Sequence, residues 1–298
     1  MLNSTASRLC AFAAGLALAG GGAAGIGSVT HATPPLQDCL SVAAANAGID
    51  TGMMGDSGEA MAEPIPGADG LRGALAGIKL QPAPTKFSAG TKTTWRFRLI
   101  GCDGKPVRKL EPENDKLLHL IVVRSDLTAY QHLHPQPHRD GTWSVELSTP
   151  RPGRYRAIAD FVVDQRKYVL GTSLTVAGSA PQRPLPAPSL NARTDGYEVE
   201  LQRPAELRAG EEDQLTFRIT RGGRPVRDLE PYLGAYGHLV ALHSPEAAYS
   251  HVHPAGEDRR SGLITFNTEF HERGAFRLFL QFQVAGRVHT AEFTQEVA

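Results

Sequence analysis

The chain has no excess of charge of either sign. Its 31 Lys plus Arg balance 31 Asp plus Glu, a formal net charge of zero. No basic stripe or acidic tail stands out, which argues against a nucleic-acid partner, because phosphate binding needs a positive excess on one face. Cysteine is scarce, three in 298 residues, and none lies in a C-x-x-C or similar metal spacing. G-x-S-x-G, H-E-x-x-H, P-loop and paired-carboxylate motifs are all missing, so the expectation is a protein that is not an enzyme. No window keeps a helical period. What is plentiful is turn chemistry, with 31 Gly and 21 Pro, and 41% hydrophobic residues supply apolar material for about two domains.

The N-terminus reads as a targeting segment over residues 1–32. Arg8 is the only charge before a weakly apolar run from Leu9 to Val29, and Thr30-His31-Ala32 offers a small-residue cleavage site. A cleaved signal peptide and an uncleaved membrane anchor stay open, since a run of about 20 residues is long enough to span a bilayer. Either places the body of the chain outside the cytoplasm, touching the membrane only through this segment. Cleavage would remove Cys10 and leave Cys39 and Cys102. In an oxidising compartment those two are candidates for a bridge. Residues 33–70 read as a flexible linker, with a possible short helix over Leu40 to Ala47. Met53, Met54 and Met61 cluster there. Thioethers suit Cu(I), but these are read as linker methionines.

From Leu71 onward the chain repeats itself. Pro106 to Pro112 answers Pro225 to Pro231, His119 answers His238 and Pro135 answers Pro254, a constant offset of 119 residues. Gly153 to Arg156 answers Gly274 to Arg277, and Asp160-Phe161 answers Gln281-Phe282. This is a duplication. It divides the chain into a first module at 71–177, a proline-rich spacer at 178–193 and a second module at 194–298. Each module reads as strands: Trp95, Phe97 and Leu99 alternate with Thr94, Arg96 and Arg98, and Trp143-Val145-Leu147 and Tyr155-Ala157-Ala159 also have period two. Turn signals such as Asp103-Gly104, Asp140-Gly141 and Pro152-Gly153 fall between them. About seven short strands in about 100 residues predict an all-β fold, two tandem immunoglobulin-like β-sandwiches.

Three histidines recur at one spacing: His119, His132 and His134, then His238, His251 and His253. If Ser125 to Thr128 forms the turn of a hairpin, opposed residues have numbers that sum to 253. His119 then faces His134, Ile121 faces His132, and all three imidazoles share one face within about 5–8 Å. The same arithmetic sets His238 opposite His253 with His251 alongside. Three neutral imidazoles at that separation suit copper or zinc. His289 is a candidate fourth ligand in the second copy, where the first has Tyr168. Glu111 and Glu230 are candidates to accept an imidazole N–H. Tyr130 and Tyr249 read as packing partners, His138 as a loop residue, and Arg108 and Arg227 as surface or ion-pair residues beside Glu111 and Glu230.

The stretches LLHLIVVRSDLTAYQHLHP and PYLGAYGHLVALHSPEAAYSHVHP resemble a group of bacterial secreted or membrane-anchored proteins. Their tandem modules carry an H-(x)12-HxHP signature and are often labelled heavy-metal-binding. The resemblance covers residues 71–298. It places the signature on the same six histidines and implies a sandwich distantly similar to periplasmic copper-resistance chaperones. The linker lacks the histidine-rich stretch that such proteins carry. The expectation is a non-catalytic envelope protein that holds or relays copper or zinc, its partners the metal ion and another envelope metal-handling protein. The alternative is a structural or adhesive immunoglobulin-like protein without metal.

Overall fold

The computed structural model describes Leu36, Cys39, Leu40, Ala62 and residues 64–250 and 252–298. The stretch read as a targeting segment, the three methionines read as linker residues, the possible helix over Leu40 to Ala47 beyond its first residue, and His251 lie outside the described residues. Among the described residues no helix is long and apolar enough to cross a membrane.

The first module is a two-sheet sandwich. One sheet runs in the order Ala74–Leu75, Ile78–Ala83, Thr91–Gly101, Thr142–Thr149, Gln136–Pro137, and the other in the order Lys86–Phe87, Arg166–Val176, Gly153–Val163, His119–Arg124, Gln131–Leu133. Lys86–Phe87 pairs parallel to the end of Arg166–Val176, and the other neighbours are antiparallel. Ala74–Leu75 apart, this is the immunoglobulin order, A-B-E-D facing A′-G-F-C-C′. Period-two alternation explains it: in Thr91–Gly101 the residues Trp95, Phe97 and Leu99 point inward while Thr94, Arg96 and Arg98 face water. They meet Leu120, Val122, Trp143 and Phe161 in one core.

The second module repeats the plan. Asn191–Thr194, Tyr197–Gln202, Glu212–Arg221, Leu263–Glu269 and Val252–Asp258 form one sheet. In the other, Gly274–Val284 pairs with Leu229–Glu230, His238–His243 and Arg287–Val297, and Ala248–Ser250 adds to His238–His243. Its core holds Phe217, Phe266, Phe270, Phe276 and Phe293.

The two modules share a third apolar cluster. His119–Arg124 is buried along its whole length, which a strand needs when both its faces are covered. Leu120 and Val122 fill the module's own core. Ile121 and Val123 point the other way and join Ile158 and Val169 against Val240, Leu242, Ala247 and Phe279 of the second module. Tyr130 stacks on Phe279 at 3.9 Å between ring centroids. Equivalent strands of the two copies therefore pack against each other with their outward faces, and the first residue of each, His119 and His238, lies at one end of this seam.

The segments flanking the first module are tied to it. Cys39 and Cys102 form a disulfide with Cα atoms 6.1 Å apart. Within the stretch read as a linker, Ile65 is buried and its N–H donates to the Lys167 carbonyl at 3.2 Å. Gly70 crosses the strand Arg166–Val176 so closely that a Cβ at Gly171 would lie 1.7 Å from the Gly70 carbonyl oxygen, so only glycine fits there. In the proline-rich spacer, the Ala180 carbonyl accepts from the buried Arg124 guanidinium at 2.9 Å. The Asp126 carboxylate pairs with that guanidinium and accepts the Arg183 N–H at 2.9 Å.

Candidate metal centre

The C–C′ hairpin of the first module has the register its sequence implies. Leu120 faces Leu133, Ile121 faces His132 and Val122 faces Gln131. Continued one step, this sets His134 across from His119, just beyond the end of Gln131–Leu133. One donor nitrogen from each of His119, His132 and His134 lies within 4.8 Å of the others.

Hydrogen bonds on the outer edge of the rings fix which nitrogen is bare. His119 Nε2 lies 3.0 Å from the Glu113 carbonyl oxygen. A carbonyl only accepts, so Nε2 carries the proton and Nδ1 is a lone pair. His132 Nδ1 lies 2.7 Å from Gln281 Oε1, while the Gln281 amide nitrogen donates to Thr290 at 3.4 Å. The His132 proton is then on Nδ1 and its Nε2 is bare. These two bare nitrogens face each other at 3.0 Å. A pair of lone pairs at that distance repels unless a cation sits beside both. The separation is near the edge of a tetrahedral nitrogen site, about 3.3 Å for metal–nitrogen bonds of ~2.0–2.1 Å. His134 Nε2 is buried and has no hydrogen-bond partner among the described residues, so it is not committed to another protein group. The residues fit an all-nitrogen transition-metal site.

Burial keeps these imidazoles neutral. It pushes His132 and His238 far below the ordinary histidine range, and the neighbouring imidazoles push the same way. Burial lowers His134 to about 4, with His119 as the next cause, and lowers His119 against the opposing pull of Asp160. Protons therefore do not compete for the ring nitrogens at neutral pH.

The second copy is arranged differently. Ala241 faces Ser250, Leu242 faces Tyr249 and His243 faces Ala248, the register expected. The strand ends at Ser250, and Val252–Asp258 belongs to the opposite sheet, where His253 faces Asn267. The expected opposition of His238 and His253 is not formed, because the chain changes sheets between them. His251 lies outside the described residues. His238 instead joins the first module's trio across the seam, its ring centroid 4.5 Å from His132 and 5.7 Å from His119, nearly parallel to both. Its Nδ1 is buried with no hydrogen-bond partner among the described residues.

Other assignments change. His289 is not a fourth ligand: its Nδ1 lies 2.8 Å from Asp195, and its ring packs between Tyr197 and Phe282. Tyr168, its counterpart, is buried with its hydroxyl 3.5 Å from the Ala76 carbonyl. Glu111 and Glu230 do not reach an imidazole. Each caps a hairpin turn instead, accepting from the Gln165 and Gly286 backbone N–H groups at 3.1 and 2.8 Å. Tyr130 and Tyr249 pack at the seam, Arg108 and Arg227 are exposed, and His138 bonds Ser144 at 2.7 Å.

The groups beside the trio that composition did not flag are Glu113, Asp160, Lys167 and Gln281. Lys167 Nζ is buried between Glu113 at 2.6 Å and Asp160 at 3.3 Å. Asp160 is opposite His119, and Gln281 is opposite His238. Both neighbour a histidine on the adjacent strand, and the repeat alignment had already matched them to each other. Burial, then the Asp160 charge, raises the Glu113 carboxyl.

Among curated proteins none matches the chain. Solved structures similar to it include FdeC, an Escherichia coli adhesin, at 15% identity, covering 74% of this chain and 64% of that one with a TM-score of 0.26. Yersinia pseudotuberculosis InvD is similar at 13% identity over 74% of this chain and 57% of its own, TM-score 0.25. An Escherichia coli alpha-2-macroglobulin is similar at 13% identity over 81% of this chain and 16% of its own, TM-score 0.26. The chain thus spans less than two thirds of these proteins' lengths. A family model described as a domain of unknown function, DUF8832, matches twice, at residues 74–178 and 192–298, one match on each sandwich. The chain belongs to the DUF8832 family, as a tandem duplication of its domain.

Proposed function

We propose that this protein binds a transition metal, copper or zinc, in the cell envelope and holds or relays it without catalysis. The observation that carries the reading is the convergence of His119, His132 and His134, with two bare nitrogens 3.0 Å apart. Neutral imidazole donors suit copper and zinc. The Cys39–Cys102 disulfide supports a location outside the reducing cytoplasm, in keeping with the targeting segment. A relay role would require a second metal-handling protein of the envelope as partner. Isothermal titration of the chain is expected to show about one Cu(II) or Zn(II) bound per molecule, and the His132→Ala variant is expected to bind none. A wild-type chain that takes up neither ion would end the proposal.

A second reading, a structural or adhesive envelope protein, is favoured by the tandem sandwich architecture and by the bond from His132 to Gln281, which stitches the modules together with no ion. The two readings separate on melting curves. A resident ion raises the midpoint by mass action, whereas a purely structural network leaves it unmoved when metal is added or chelated.

A further inference from the structure

We infer that Gln281, on the second module, is a positioning residue for the first module's metal centre, so that the ion is gripped only by docked modules. This rests on the metal reading above and deepens it. The first module fixes the His119 tautomer internally, through the Glu113 carbonyl. Among the described residues it offers no such acceptor to His132 Nδ1. The acceptor comes from across the seam: Gln281 Oε1 lies 2.7 Å from His132 Nδ1. A neutral imidazole carries one proton, and the acceptor at Nδ1 holds it there, leaving Nε2 bare toward His119 and His134. Without Gln281, the His132 proton moves to Nε2, where it bonds the bare His119 Nδ1 at 3.0 Å and blocks the site.

The seam also closes the site. His132 is half-buried, and the His238 ring lies over it. Gln281 sits two residues from Phe279, whose ring carries the Tyr130 stack. Docking therefore positions the amide, and the amide sets the ligand. By linkage, an ion that prefers docked modules makes the docked state more stable.

Three full-length chains test this: wild type, Gln281→Leu and Gln281→Glu. Nitrogen-detected NMR of the metal-free wild type should show His132 protonated at Nδ1, and Gln281→Leu should move that proton to Nε2. Titration with Zn(II) should find Gln281→Leu about 10–100-fold weaker than wild type, the usual cost of losing a group that orients a ligand. Gln281→Glu should bind at least as tightly as wild type, because a carboxylate accepts the same proton. A mere packing role predicts the opposite order, since a buried charge disrupts packing more than leucine does. An Nε2-protonated His132 in the wild type, or equal Zn(II) affinity in all three chains, overturns the inference while leaving the metal site standing. Failure of the wild type to bind Zn(II) sinks both.

Discussion

His132 and His238 are half-buried bases held well below the ordinary histidine range by desolvation and by the neighbouring imidazoles, and this shapes how the metal-free protein responds to acid. Above pH of about 6.5 both states of the chain hold these rings neutral. Below it the unfolded chain takes up protons that the folded chain refuses, so stability falls as pH drops. The stabilising difference is present above the unfolded value and is lost on acidification, down to about 4 for His134. Unfolding free energies of chelated protein are expected to stay level above about pH 6.5 and to decline below it, by as much as about 1.4 kcal/mol per pH unit for each ring that stays neutral. Replacing His132 by Phe should flatten that slope. An unchanged slope would mean the ring titrates normally in the fold. The trio itself was legible in the sequence because period-two geometry converts spacing into a shared face. The partner of its central ring was not, since Gln281 lies 149 residues away and reaches it only through docking.

At the scale of elements, the hairpins and their registers were readable and the crossing was not. In both copies the C–C′ register follows from symmetric closure of a short turn. Where the next strand goes depends on which sheet edge offers the better ladder. In the second copy Val252–Asp258 pairs along Leu263–Glu269, whereas the first copy pairs only Gln136–Pro137 there. Spacing alone carries no trace of that choice. The proline-rich spacer also does more than separate. Arg124 and Asp126 are each 1% exposed at the side chain and hold its backbone at Ala180 and Arg183. Arg124→Ala would leave the Asp126 charge buried without its partner, a loss of about 3–5 kcal/mol. Urea unfolding is expected to show it as a lowered midpoint. The disulfide spans a sequence separation of 63 residues. Cys39→Ser together with Cys102→Ser is expected to cost about 4 kcal/mol by chain-entropy arguments. Equal stability of the reduced and oxidised chains would show the tail to be a passive attachment.

For the molecule as a whole, the question is whether two sandwiches act as one unit. The sequence held a signal for this: HLIVVR and HLVALH place apolar residues on both faces of their strands, more than a sandwich with one wet face requires. The structure spends the second face on the seam, where Ile121, Val123, Val240, Leu242 and Phe279 are nearly inaccessible. Phe279 belongs to that cluster and to neither module's own core. Phe279→Ala should therefore remove about 3–5 kcal/mol chiefly from the contact between modules. Calorimetry of the wild type is expected to give one cooperative transition, and Phe279→Ala to give two. Phe266→Ala, within the second core, should instead weaken that module while a residual coupling persists. If the Phe279→Ala chain still melts in a single step at the wild-type midpoint, the modules are coupled elsewhere.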